Sequence, residues 1–192
     1  MLSEGEKRIL LMLFKDFSTQ YNARSISKKV NMTHEGAFKA LKNLEKKGFV
    51  NSKTFGKAIM YKMKYSPLTN KNLELLLLEE SELNYARWVD EEKNFNESSI
   101  LVLFGSILKS KEYRDVDLLV VVSKERYSTL MKKIDEKNKL LLKKIHPIIQ
   151  TGNDLKNNII KKDPVIIDAI KNGIVLKGHE KFVEVLSNVT ST

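Results

Sequence analysis

The sequence predicts an α+β protein in which a small basic segment of helices and a hairpin precedes a mixed β-sheet flanked by helices. Three observations carry that prediction. Positive charge is concentrated in the first third of the chain. Apolar residues recur at offsets of three, four and seven over several stretches, the signature of amphipathic helices. Two strand-sized apolar runs, residues 100–104 and 116–122, bracket a short polar loop.

Residues 1–66 hold 14 Lys and Arg against 5 Asp and Glu, whereas residues 67–192 hold 20 against 19. Nine of the ten net charges therefore lie in the first third. This split fits one segment facing polyanionic phosphate and another that does not; a Lys-rich surface serving only solubility would spread its charge evenly. A chain of 192 residues with 42% hydrophobic content has room for one large domain or two small ones. No run of about 18 apolar residues is present to span a bilayer. Residues 1–7 are charged rather than signal-like. Cysteine is absent, which excludes disulfides, thiolate metal sites and cysteine nucleophiles. A soluble cytoplasmic protein with no membrane partner is expected.

Ser3 and Glu6 make a capping box ahead of Ile9, Leu10, Leu13, Phe14 and Phe17. A polar turn over residues 18–24 follows, and Ser25 is placed to cap a short second helix with Ile26 and Val30 facing inward. Thr33 ends the next turn as an N-cap. The third helix sets Ala37, Ala40, Leu41 and Leu44 on one face and Glu35, Lys39, Lys42, Asn43 and Lys46 on the other, until Gly48 stops it. Residues 49–53 and 58–64 read as strands around Phe55-Gly56-Lys57.

Three helices and a hairpin in this order, over about residues 3–65, resemble winged helix-turn-helix domains. The resemblance implies a third helix lying in the DNA major groove and a hairpin tip reaching neighbouring phosphate. On it, His34, Lys39, Lys42 and Asn43 are the candidates for the groove, and Lys53 and Lys57 for the wing. Winged helices also serve as protein-interaction modules, but the basic third helix favours DNA as the partner.

Ser66-Pro67 breaks the last strand. Residues 68–94 are helical in composition, with Leu73, Leu75–Leu78, Leu83, Trp88 and Val89 making a broad apolar side. A connecting helix docked on the C-terminal domain is the plain reading, and a homodimer the alternative.

The run at residues 100–104 ends in Gly105-Ser106, and eight residues later comes Asp115-Val116-Asp117, opening the second run. Residues two apart on a strand project to the same face, so the two carboxylates are expected to point together from a strand end. Paired carboxylates bind hard cations such as Mg²⁺ or Mn²⁺, and two such ions about 3.5–4 Å apart clamp an in-line phosphoryl displacement. Gly105 lets the backbone approach a phosphate closely, and the Ser106 hydroxyl can bind its oxygens.

This strand, Gly-Ser, loop, Asp-x-Asp, strand arrangement resembles the DNA polymerase beta-type nucleotidyltransferase superfamily, and especially its minimal members and the archaeal proteins that fuse one to a winged helix. The resemblance covers most of residues 68–187. It implies transfer of a nucleoside monophosphate from an NTP to a hydroxyl or amine acceptor. Gly105 and Ser106 would hold the outer phosphates, and Asp115 and Asp117 the metals. Three departures stand out. The loop carries Leu108-Lys109-Ser110 where the family has small residues, Arg and Gly. Arg114 replaces the usual Ser, and the later strand at residues 144–149 lacks the family's third carboxylate.

His146 stands near that missing acid. It is a poor Mg²⁺ ligand but a candidate general base, or else a structural residue at a strand edge. Lys109 and Lys111 are candidates for triphosphate contact, or else solvated lysines. Asp154 is expected to cap a helix, and Asp135 and Glu136 to be solvated. The remaining elements read as helices over residues 125–142, 153–161, 164–171 and 180–186, a strand over 173–178 and a frayed tail over 188–192.

The expected organisation is a winged helix DNA-binding domain at 1–66, a linker helix at 67–97, and a nucleotidyltransferase-like domain at 98–192, that is, a mixed sheet flanked by helices. The function implied is Mg²⁺-dependent nucleotidyl transfer guided by DNA binding. The alternatives are a nucleotide-sensing DNA-binding regulator that has lost turnover and a toxin–antitoxin component.

Overall fold

The computed structural model describes residues 1–110 and 112–190. It is a mixed α+β structure with two sheets. The chain divides into two compact units, residues 1–76 with Thr190 and residues 77–189. None of the helices described is long and apolar enough to cross a membrane.

In the first unit, α1 (Glu4–Lys15) begins with the reciprocal capping box: Ser3 N–H donates to Glu6 Oε2 at 2.8 Å, and Glu6 N–H to Ser3 Oγ at 3.3 Å. It buries Ile9, Leu10, Leu13 and Phe14 and ends at Lys15, short of Phe17. The expected turn at 18–24 instead contains a two-residue strand, β1 (Tyr21–Asn22), and the start of α2 (Ala23–Lys29). Asn22, not Ser25, is the cap of α2. Ser25 is its third residue, and its hydroxyl oxygen accepts from the Asn22 backbone N–H at 3.0 Å, so the hydroxyl is the reciprocal half of the box. α3 (His34–Lys46) is capped by Thr33 and buries Ala37, Ala40, Leu41 and Leu44, and Gly48 with φ 80° turns the chain away. β2 (Val50–Phe55) and β3 (Ala58–Met63) form the hairpin, and β1 adds to β3 for the antiparallel order β1-β3-β2.

Glu6 does a second job. It is 3% exposed, and Lys47 Nζ, just past α3, donates to both its carboxylate oxygens at 2.9 and 3.0 Å. Burial works against the charged form, but Lys47, the Ser3 amide and Asn43 outweigh it and hold the carboxyl below its ordinary value. A group whose folded pKa is depressed stabilises the fold above its unfolded pKa, and that contribution is lost as pH falls through the folded value. Glu6→Gln is therefore expected to lower stability at pH 7 by about 1.5–3 kcal/mol. It should also flatten the acid-side loss of thermal stability below about pH 4.3, which melts across pH 2.5–7 would show on the order of a few degrees at a time.

α4 (Pro67–Glu92) crosses the division between the units and contains one non-helical residue, Tyr85, with φ −135° and ψ 26°. In the second unit, β4 (Ser98–Phe104) pairs antiparallel with β5 (Val116–Val122). α5 (Tyr127–Leu140) then carries the chain to β6 (Ile145–Gln150), which lies parallel to β5. α6 (Gly152–Ile160) and α7 (Pro164–Asn172) lead to β7 (Ile174–Lys177), antiparallel to β4, for a sheet of order β6-β5-β4-β7. β6 is an edge strand, which is where Pro147 costs no ladder hydrogen bond. Asp163 caps α7 with Pro164 following it. Thr151, not Asp154, is the N-cap of α6, with Asp154 as its reciprocal partner three residues on.

α8 (His179–Thr190) begins before and ends well after the predicted 180–186, so residues 188–190 are helical rather than frayed. Phe182, Val183 and Leu186 anchor it by burial. The core of this unit is Leu101 and Leu103 of β4, Leu118 and Val120 of β5, and Leu130 and Ile134 of α5. Burying an aliphatic side chain of this size contributes about 1.5–3 kcal/mol.

Candidate functional site

Gly105 follows β4 with φ 84°, in the left-handed region that glycine alone enters without strain. A Cβ placed there would lie 2.0 Å from Asp117 Oδ2 and 2.9 Å from Asp117 Cγ. The Asp117 carboxylate thus occupies the space that any other side chain at 105 would need. Register brings the two together, because Phe104 faces Asp117 across the β4–β5 ladder. Beyond Gly105 the chain makes a 3₁₀ turn, Gly105–Leu108, that no side chain caps. Ser106 is exposed on this turn and Lys109 is exposed just after it. Lys111 lies outside the described residues.

On its other side, Asp117 faces His146, its direct partner across the parallel β5–β6 ladder. His146 Nδ1 lies 3.8 Å from Asp115 Oδ2, with His146 61% and Asp115 41% exposed, so both are open to a ligand. One expectation needs correction. Asp115 is not on the strand: β5 begins at Val116, and Asp115 sits in the bend before it. Asp115 lies beside His146 from that bend, and its charge is felt at Asp117, so the two acids do not ride one pleat.

Burial pushes the Asp117 carboxyl above its usual range; His146 opposes that shift and the Asp115 charge adds to it. A carboxylate so placed gains from a cation brought beside it. Two aspartates offer the oxygen donors that Mg²⁺ or Mn²⁺ accepts. Among the described residues no group of three or more His, Cys, Asp or Glu could hold a metal ion. Phosphate oxygens and water would have to complete its coordination.

The structure therefore brings together Gly105, Asp115, Asp117 and His146, with Ser106 one residue away. Among the described residues, no hydrogen bond or ion pair links the Lys109 side chain to Asp115, Asp117 or His146. Asp135 and Glu136 are exposed on α5. The stacking of Lys143 Nζ 3.5 Å from the Tyr113 ring centroid, beside the bend that holds Asp115, escaped the sequence reading, since the two residues are 30 apart.

In the first unit, α3 exposes His34, Lys39, Lys42 and Asn43, and the hairpin exposes Lys53 and Lys57. They are not equivalent. Lys42 Nζ is held by Glu45 Oε2 at 2.8 Å, and Glu45 is in turn bonded by the Ser52 hydroxyl, so part of that charge is answered internally. Lys53 Nζ lies 5.2 Å from the Phe55 ring centroid, and Phe55 is 49% exposed beside the hairpin tip. Sequence reasoning did not single out Phe55 or the exposed Phe38 of α3; an aromatic next to Gly56-Lys57 was the available signal. Exposed Arg24, Lys28 and Lys29 extend the basic face onto α2.

Comparison of the chain with models of known protein families, with curated proteins and with solved structures found no match.

Proposed function

We propose that residues 77–189 bind a nucleoside triphosphate with a divalent cation and transfer its nucleotidyl group, as nucleotidyltransferases of the DNA polymerase beta type do, and that the first unit is a winged helix that binds DNA. The observation that carries the first half is the contact between Gly105 and the Asp117 carboxylate. It sets the Gly105-Ser106 turn, whose amides and hydroxyl would take phosphate oxygens once a cation is held, against an acid whose charge burial leaves in need of that cation. The strand order agrees with this reading, since it sets the Gly-Ser corner, the paired acids and the β6 residue side by side.

The roles follow from position. The corner at Gly105 and Ser106 would hold the outer phosphates, and Asp115 and Asp117 the cation. A bound cation would neutralise triphosphate charge and polarise the α-phosphate. The acceptor oxygen or nitrogen would form a bond to the α-phosphorus as the bond to the bridging oxygen breaks and pyrophosphate leaves. An imidazole nitrogen of His146 is the group placed to take the acceptor proton.

The test is incubation of the full chain with labelled NTPs and Mg²⁺ or Mn²⁺. Wild type is expected to bind nucleotide and release pyrophosphate. Gly105→Ala, whose methyl collides with Asp117 and whose backbone is strained, should lose both while still melting cooperatively. Absence of binding and transfer by wild type would end the enzyme reading.

One observation favours a second reading. The residue paired with Asp117 on β6 is a histidine, not an acid. A domain that binds NTP without turnover and reports it to the first unit fits that change. It predicts nucleotide binding without pyrophosphate release, and DNA affinity that shifts when NTP is added.

The basic face supports DNA as the partner of the first unit. Log affinity is expected to fall by about 0.9 per log unit of salt for each phosphate contacted. In salt titrations of a gel shift, Lys39→Ala and Lys57→Ala should each reduce that slope by about 0.9. Lys42→Ala should reduce it less, because Glu45 already holds its ammonium. A shift insensitive to salt would refute the assignment.

A further inference from the structure

We propose that the second unit carries another ligand site, on the opposite face of β5 from Asp117, for a small organic anion with an apolar body. The proposal is independent of the nucleotide reading. A cavity of about 390 Å³ lies there, lined by residues of this unit alone. That size falls in the range of about 300–1,000 Å³ usual for small-molecule sites. Successive side chains of a strand point to opposite faces. Val116 and Leu118 line the cavity, so Asp117 between them belongs to the other side.

The interior is apolar, with Leu101, Leu118 and Leu176 at its base, each at most 4% exposed. Among the described residues its lining has no Asn, Gln, Ser or Thr side chain of the kind that would suit a sugar or a triphosphate, and Tyr113 supplies the one side-chain hydroxyl. Among the described residues the lining is basic instead: Arg87, Lys137 and Lys143 against one carboxylate, Glu91, which Lys137 already bonds. The cations lie over aromatic walls. Lys143 Nζ is 3.5 Å from the Tyr113 centroid, Arg87 Cζ 5.7 Å from the Trp88 centroid, and Lys137 Nζ 5.8 Å from the Phe95 centroid. Apolar depth with a positive sign around it selects an amphipathic anion. A neutral hydrocarbon would leave the charges unused, and a cation would be repelled.

Trp88 lines the cavity and is the only tryptophan of the chain, so its emission reads occupancy directly. The experiment titrates the full chain with decanoate and, separately, with decanol, following Trp88. Wild type is expected to give a saturable response, with decanoate bound at least about tenfold more tightly than decanol, the ratio that one retained charge interaction of about 1.4 kcal/mol supplies. Reversing the mouth charges in Arg87→Glu/Lys143→Glu should remove that preference and leave decanol binding within about twofold. Circular dichroism and a cooperative melt would verify that the variant is folded; should it not be, the decanoate-to-decanol ratio in wild type decides alone. No saturable response in wild type, equal affinities for the two probes, or a preference that survives charge reversal in a folded variant would overturn the proposal.

Discussion

On the proposed nucleotidyltransferase reading, Asp117→Asn is expected to abolish transfer, by more than about 100-fold, in a protein that melts at the same temperature as wild type or higher. Loss of outer partners of metal ligands alone costs about 10–100-fold, so loss of a side chain proposed to hold the cation itself should exceed that. The stability half of the prediction comes from the same contact. Burial raises the Asp117 carboxyl above its ordinary value, and although His146 counters this, the Asp115 charge reinforces it. A raised carboxyl is a destabilising group at pH values above its folded pKa, and the penalty is relieved as pH falls through that value. The amide isostere keeps the shape beside Gly105 and removes the charge. Transfer assays with pyrophosphate detection, alongside calorimetry at pH 7, would check both halves. A variant that loses stability and activity together would mean that Asp117 serves the fold rather than the chemistry. Because protons and cations compete for this carboxyl, cation affinity should also decline on acidification earlier than it would at an ordinary aspartate.

The second large effect concerns stability alone. Gly178 joins β7 to α8 with φ 75°, and a Cβ there would lie 2.1 Å from the carbonyl oxygen of Ser99 and 3.1 Å from Ile100 Cα. Those are backbone atoms of β4 and cannot swing aside as a side chain would. Left-handed backbone strain of about 1–2 kcal/mol and overpacking of about 1–3 kcal/mol together place Gly178→Ala at about 2–5 kcal/mol. In a unit of this size that lowers the melting temperature by on the order of 10–20 °C. A useful control is Gly56→Ala at the hairpin tip, where φ is also positive, at 57°, but nothing lies within 4 Å of the added methyl. That variant should lose only the strain component. Differential scanning calorimetry of the two would separate collision from conformation, and equal losses would refute the close-approach argument at Gly178.

What could be read without coordinates follows the range of the forces involved. Caps act over three residues, so Ser3 with Glu6, Thr33 and Asp163-Pro164 were legible. Continuous apolar runs revealed β4 and β5, since a strand covered on both faces has no polar alternation to hide it. Long-range pairing was not legible. β1 exists because Tyr21 and Asn22 find β3 some 40 residues on, a partner no local pattern names. The Asn22–Ser25 box was misassigned because either residue type can cap, and only backbone angles tell which one does. At the site, the pair of aspartates and the glycine were evident as residue types. That Asp117 fills the missing side chain of Gly105, that His146 is its neighbour across the ladder, and that Asp115 stands off the strand all depend on register. Register is a property of the sheet, not of any segment within it.

β5 is seven residues long, with a cavity against one face and the Gly105 turn against the other. Val116 and Leu118 belong to one and Asp117 to the other, separated by single peptide units. Neither face can be remodelled in isolation: a bulkier residue at 116 that tilts the strand to make room for itself swings the carboxylate on the far side through the same arc. Mutational drift along this strand is thereby screened twice, and a library built to reshape the oily chamber should be scored for cation affinity as well as for folding.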